Sequence, residues 1–264
     1  MGSNLFWMST SDGVWFMAQL CGLLFAVWGL YFAQGHGAVQ AALASLCMAL
    51  AVGCRPFYAL LLACWLVWRA YKQRSVRTLL PALLPAAAAA VAMMAYNYVR
   101  FGSVTEFGHN YLPEFTRADY GQFSLHYLLP NLLQLLRPVT LDAQGVLQFE
   151  QFNGFLFFIA NPLFLLAMLR GAAVSLPGRA ELCRNDLPLP AAGRCIAAVC
   201  AVLTVLTCMH RTLGGWQFGA RYMVDLFPWL LIWFMARPAW RPGAGAKALC
   251  GMAALFNLYG AVYM

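Results

Sequence analysis

Cations, acids and glycines gather at three places in the chain. The first is Arg211-Thr212-Leu213-Gly214-Gly215-Trp216-Gln217-Phe218-Gly219-Ala220-Arg221-Tyr222, with Asp225 three residues further on. Glycines at 214, 215 and 219 allow tight turns and a close approach of the backbone to a ligand. The two arginines offer planar forks that meet phosphate oxygens in pairs. Arg221 and Asp225 are four apart, a spacing that pairs them on one helical face near a membrane boundary. A buried pair of this kind suits an anion site, and it suits equally a structural clamp on a loop. The second place is Tyr96-Asn97-Tyr98-Val99-Arg100-Phe101-Gly102-Ser103, continuing to Glu106-Phe107-Gly108-His109-Asn110-Tyr111. Cation, acid, imidazole and aromatic planes together fit an anionic glycosyl substrate, with Arg100 on the phosphate and aromatic faces on the sugar. The same composition also fits an aromatic interfacial belt with Arg100 reaching for headgroups. The third place is Arg55-Pro56, an arginine that must either pair with an acid or face an anion.

The elements that must position these residues are membrane helices. The 264 residues are 62% hydrophobic and only 10% charged, and mean hydropathy is +0.67. A soluble domain carries about 25% charge, so soluble globular and disordered classes are excluded. Transmembrane barrels are excluded by apolar runs that are long and lack alternation. Eight spans are predicted, at 13–33, 38–54, 56–71, 78–96, 153–169, 194–210, 222–236 and 247–263. The fold expected is all-α: a polytopic transmembrane helix bundle organised as four spans (1–96), a loop (97–152) and four further spans (153–264), one membrane domain overall. Pro56 lacks an N–H and disfavours helix at Arg55, so spans two and three are read as separated by a tight break with Pro56 opening the third. Within the loop, leucines from Leu125 to Leu136 keep a helical rhythm, which predicts an interfacial helix over 120–138, bent or shortened by Pro130. Lodged in hydrocarbon, Asn131 and Gln134 would lack partners, which argues for a helix lying along the interface. The alanine run Ala86 to Ala90 reads as a close helix–helix contact.

The formal charge of +8 is placed in short clusters between apolar runs, which argues for positive-inside loops and against a nucleic-acid surface. Arg69, Lys72, Arg74 and Arg77 form one cluster, Arg170, Arg179, Arg184 and Arg194 a second, and Arg237, Arg241 and Lys247 a third. Eight spans put all three on the cytoplasmic side and both chain ends outside. The outer face then keeps six basic residues, all arginine, among them Arg55, Arg100, Arg211 and Arg221. These four are expected to converge on one outer cavity. Met1 to Asp12 has no basic region of the kind that opens a cleavable signal peptide. Cysteines lie mainly inside apolar runs and show no CxxC, so no disulfide framework is expected. The histidines show no paired ligand spacing, and Walker and GxSxG motifs are absent, so neither a metal nor another cofactor is expected.

On Gly53-Cys54-Arg55-Pro56, on Asn97-x-x-Arg100-Phe101-Gly102-Ser103 with Glu106-Phe107-Gly108, and on Gly214-Gly215-Trp216-x-Phe218-Gly219-Ala220-Arg221-Tyr222, the chain resembles the later part of GT-C glycosyltransferases. The likeness is to the protein-mannosyltransferase-like kind, which use polyprenyl-phosphate-sugar donors. It implies transfer of a sugar from such a donor to an acceptor at the non-cytoplasmic face of a multi-pass protein, in a bacterial inner or plasma membrane. Arg55, Arg100, His109, Arg211, Trp216 and Arg221 would bind substrate, and Glu106 or Asp225 would orient or deprotonate the acceptor. The family's acidic residue in an early outer loop has no counterpart, since Asp12 is the sole acid there. The expectation is therefore a C-terminal portion of such an enzyme. The rival from another class is a transporter-like, flippase-like or purely structural membrane protein that binds an anionic lipid.

Overall fold

A computed structural model of the chain describes residues 2–73, 75–169, 189–235 and 243–264. The protein is mostly helical. In chain order the helices are α1 (Leu5–Thr10), α2 (Val14–Phe32), α3 (Ala38–Cys54), α4 (Ala59–Gln73), α5 (Val76–Phe101), α6 (Pro113–Thr116), α7 (Leu128–Leu135), α8 (Phe157–Ala160), α9 (Pro162–Leu169), α10 (Leu189–Met209), α11 (Phe227–Met235) and α12 (Ala244–Tyr263). Among the described residues, α2, α5 and α12 are long and apolar enough to cross a membrane, while Ala38–Cys54 and Gly193–Met209 are shorter apolar helices. Arg74, Arg170, Arg179, Arg184, Arg237 and Arg241 lie outside the described residues.

The chain divides into two compact units, one of Met17–Asp119 and one of Met1–Phe16 with Tyr120–Met264. The first unit is held by close helix approaches. Gly29 of α2 lies where an added Cβ would meet Met48 Cγ at 2.6 Å, and the Ser45 hydroxyl of α3 donates to the Ala82 carbonyl of α5. Small buried residues on α3, Ala41, Ala44 and Ala51 among them, let these helices approach closely. The break between α3 and α4 falls where Pro56 predicts it: Arg55 is extended and Pro56 opens a 3-10 turn over Pro56–Tyr58. Helix α5 runs through Pro81 and Pro85 and stops at Gly102, whose left-handed backbone lets its N–H reach the Tyr98 carbonyl at 2.8 Å.

The second unit departs from the expected spans. Residues 153–156 are not helical, and the run from Phe157 to Leu169 is broken at Asn161. The fifth span, 153–169, is thus two helices preceded by a loop. Hydropathy registers the apolar side chains there, but the Asn161 break is stabilised by a specific polar group, since its Nδ2 donates back to the Phe157 carbonyl at 2.9 Å. The seventh span, 222–236, opens as a 3-10 segment over Arg221–Leu226 before α11 begins. Of the helix expected over 120–138, only Leu125–Leu135 is helical, a 3-10 turn followed by α7. A two-stranded hairpin, β1 (Thr140–Leu141) with β2 (Leu147–Gln148), adds strand that the pattern of apolar residues did not announce.

Helix α7 buries a polar side chain as well as an apolar one. Asn131 and Leu135 are buried while Leu129 and Leu133, and Leu136 just beyond the helix, face outward. The Asn131 side chain donates to the carbonyls of Cys208 and His210 at 2.9 and 2.7 Å, and Gln134 donates to the Gly154 carbonyl at 2.9 Å. Both carboxamides expected to lack partners in hydrocarbon therefore donate to carbonyls of the protein, and their polarity does not require an interfacial position. What remains is length: the eight residues of α7 reach only about 12 Å, short of a bilayer core.

Candidate functional site

One candidate lies in the second unit, where α10 ends and the glycine-rich loop returns into α11. Two loops form a ribbon there. Phe152 bridges Trp216, the Asn153 N–H donates to the Gly215 carbonyl at 2.8 Å, and the Gln217 N–H donates to the Gln151 carbonyl at 2.9 Å. Asn153 adopts a left-handed backbone (φ 65°), and its Oδ1 accepts from the N–H groups of Leu213 and Gly215. Part of the loop's donor set is thereby consumed internally. Below the ribbon, Phe218 packs edge-on against Phe155 with centroids 5.1 Å apart, and the approach of α12 is permitted by Gly260, where a Cβ would strike the Phe218 ring.

Arg221 and Asp225 are the buried charges of this region, 6% and 2% exposed. The Arg221 guanidinium lies over the Phe16 ring at 4.8 Å and the Tyr222 ring at 5.1 Å, and its backbone N–H donates to Gln217 Oε1 at 2.8 Å. Gln217 is fixed in turn by donating to the Leu213 carbonyl. Gly214, with φ +117°, passes against the Arg221 side chain so closely that a Cβ would collide with Nε. The expected placement of Arg221 and Asp225 on one helical face needs correction. In a 3-10 segment residues i and i+3 eclipse, so these two lie about a third of a turn apart, and Asp225 shares its row with Tyr222.

His210 is a member of this cluster that spacing arguments passed over, because they tested histidines for metal ligation alone. It is buried; its Nδ1 lies 2.7 Å from the Thr212 carbonyl and its Nε2 3.2 Å from Gln122 Nε2, with Tyr222 edge-on at 5.8 Å. That geometry suits an imidazole with its proton on Nδ1 and its Nε2 lone pair toward the amide. No signal in the sequence marks Gln122 or Asn131 as its supports. Arg211 follows; its backbone N–H donates to the Gln122 carbonyl, and one terminal guanidinium nitrogen is shielded from solvent with no hydrogen-bond acceptor among the described residues. Trp216 stands at the loop tip, 66% exposed, with its ring edge-on to Phe152.

A cavity of about 490 Å³ lies beside the same 3-10 segment. Met223 and Leu226 of that segment form part of its wall, with Leu132 of α7, Leu136 just beyond it, Ala201 of α10 and Trp233 of α11.

The remaining candidates belong to the first unit. Arg55 is half-buried, with its guanidinium 6.0 Å from the Phe57 ring. Arg100 is exposed and folded back on its own helix, over Tyr96 at 5.3 Å and Phe101 at 5.0 Å, donating to Tyr96 Oη at 2.9 Å. Glu106 has both oxygens engaged, one by the Gly108 N–H and one by Asn110 Nδ2, each at 2.7 Å. The Asn110 bond first, and the Gly108 bond with it, hold this carboxyl below the usual carboxylate range. His109 lies near Phe115, with ring centres 6.1 Å apart. Within its own unit, the structure brings Arg221 together with Tyr222 and His210; Arg55, Arg100, Glu106 and His109 belong to the other unit. No family model, no curated protein and no solved structure matches the chain.

Proposed function

We propose that the chain is a multi-pass membrane protein that recognises a phosphate-bearing lipid at its non-cytoplasmic face. In the fullest form of this reading it is a glycosyltransferase-like protein that takes a polyprenyl-phosphate sugar, with eight spans in a bacterial inner or plasma membrane. The observation that carries the reading is the burial of Arg221 and Asp225 on one short 3-10 segment of a strongly apolar chain. An ionisable side chain in apolar surroundings costs about 3 kcal/mol on insertion scales, so such residues mark ion or substrate paths. Arg221 would neutralise the phosphate, and Arg211 would add a second fork from the far end of the loop. Asp225 is the better candidate to receive the acceptor's proton, because Glu106 holds its own loop with both oxygens and is a weak base. Arg55, Arg100, His109 and Trp216 stay as candidate contacts to lipid or sugar.

The test uses the full chain in nanodiscs with a radiolabelled polyprenyl-phosphate sugar. Binding that falls about tenfold or more in Arg221→Gln, together with sugar release that disappears in Asp225→Asn, is the expected result. Binding unchanged in Arg221→Gln overturns the reading. The second reading, an anionic-lipid-binding protein without transfer chemistry, is favoured by the purely local engagements of Glu106 and Arg100. It predicts Arg221-dependent binding with no sugar release under any condition.

A further inference from the structure

We propose that the start of α5, with Arg69 of α4 behind it, is a binding site for a phosphate group, one that depends neither on Arg221 nor on sugar transfer. Helix α5 is 26 residues long and opens without a cap: Ser75 stands at the N-cap position in extended backbone, its side chain makes no cap hydrogen bond, and the first turn holds no acid. The Thr78 hydroxyl is turned to the Ser75 carbonyl, to which it donates at 2.8 Å. The N–H groups of the first turn thus stand at the positive end of the helix dipole with no acceptor from these side chains, an arrangement that takes phosphate oxygens. Lys72 and Arg77 flank the turn with exposed side chains.

Arg69 is what turns a helix start into a site. It is a cation withdrawn from water, 6% exposed, and its Nε has no hydrogen-bond partner among the described residues. Four residues earlier, on the same face of α4, the Trp65 indole N–H is shielded and equally without an acceptor, and the Arg69 guanidinium lies 5.7 Å from the centre of that ring. Gln73 carries the guanidinium toward α5. With its carboxamide oxygen facing Arg69 Nη2 at 3.2 Å, its nitrogen reaches the Thr78 hydroxyl oxygen at 2.9 Å and the Thr78 carbonyl at 3.1 Å. No acid stands in this stretch of chain to balance the charge: residues 13 to 105 contain neither Asp nor Glu, although Arg55, Arg69, Lys72, Arg74, Arg77 and Arg100 all fall there. The acids of the first unit, Glu106, Glu114 and Asp119, come after α5, whose 26 residues put about 39 Å between its two ends. A neutral polar ligand would leave the buried cation unbalanced, whereas a phosphate answers both the charge and the open N–H groups. A membrane surface supplies that anion as a lipid headgroup, and the same chemistry fits free phosphate.

The full chain in neutral detergent is titrated at constant ionic strength, in one arm with short-chain phosphatidylglycerol and in the other with inorganic phosphate, and amide exchange is read at Val76, Arg77 and Thr78. Exchange there is expected to slow about tenfold or more at saturation. Slowing by phosphatidylglycerol alone makes the ligand a lipid headgroup, and equal slowing by inorganic phosphate makes it soluble phosphate; either result supports the site. Arg69→Gln should weaken the response about tenfold or more, whereas Arg117→Gln, which removes an exposed cation of the same unit beyond the other end of α5, should leave it unchanged. If Arg69→Gln fails to fold, Ser75→Asp decides: its carboxylate caps the turn from within the chain, so it should keep or raise stability while abolishing the phosphate-dependent slowing. Exchange that responds to neither phosphate source, or that responds in Ser75→Asp as it does in the unaltered chain, overturns the site.

Discussion

Substituting alanine at Gly214 and, separately, at Gly215 isolates the contact that fixes Arg221. Both glycines have positive φ, +117° and +71°, so each alanine costs about 1–2 kcal/mol in backbone conformation alone. At Gly215 nothing lies within 4 Å of the added Cβ, and the cost ends there. At Gly214 the Cβ collides with Arg221 Nε and comes within 3.2 Å of both Arg221 Cγ and Tyr222 Cε1, tighter than an ordinary contact. The Arg221 stem sits between two rings and cannot swing away freely, so overpacking adds about 1–3 kcal/mol. Gly214→Ala should therefore destabilise the chain by about 2–5 kcal/mol against about 1–2 for Gly215→Ala. Reversible unfolding in mixed detergent–denaturant micelles measures stability, and anionic-lipid binding, read in parallel, should fall only in Gly214→Ala. Equal effects of the two substitutions on both readouts would refute the idea that backbone proximity at residue 214 positions the guanidinium.

Asn131→Leu should release α7 from α10, because two carbonyls lose their side-chain donor; hydrogen exchange over Leu128–Leu135 is expected to accelerate by about five- to thirtyfold, the equivalent of about 1–2 kcal/mol. Acid should loosen the loop that Glu106 ties. The folded carboxyl titrates below its ordinary value of 4.5, so the ties are complete at neutral pH and are lost as pH falls through the depressed folded value; exchange at Gly108 should show this, and Glu106→Gln should abolish the pH dependence. In a cysteine-free background, a cysteine at Asp142 is expected to react with an impermeant reagent from outside, and cysteines at Arg74, Arg184 or Arg241 only after permeabilisation; a reactive Arg74 site reverses the topology.

The first four apolar runs were legible as helices because hydropathy reports continuous helices well: α2 to α5 fall on the expected runs, with α5 extended a few residues at each end, and of these four α2 and α5 are long and apolar enough to cross a membrane. Pro56 and Gly102 act through backbone constraints that sequence displays directly. Apolar content was legible in 153–169 and 222–236, but helix type was not. Asn161 breaks one run by bonding to its own neighbourhood, and Arg221–Leu226 tightens to 3-10 where Gln217 takes up the first backbone N–H. At the candidate site, residue types were legible and partners were not. Arg221 was singled out by charge, whereas the groups that hold it in place, Gln217, Phe16 and the close pass of Gly214, are ordinary residues until the chain brings them together.

The break at Asn161 also bears on the order in which the chain is assembled. It leaves the Ala160 carbonyl to be met by the side chain of Asn257, 97 residues further along. At synthesis rates of about 5–20 residues per second, that acceptor waits roughly 5–20 s before its donor has even been made. Asn161 Oδ1, by contrast, accepts from the Asn4 backbone N–H, a donor already present when residue 161 emerges. One side of the break can thus close at once while the other stays open until α12 arrives. During that interval the Ala160 carbonyl lacks the side-chain donor that Asn257 supplies in the folded chain.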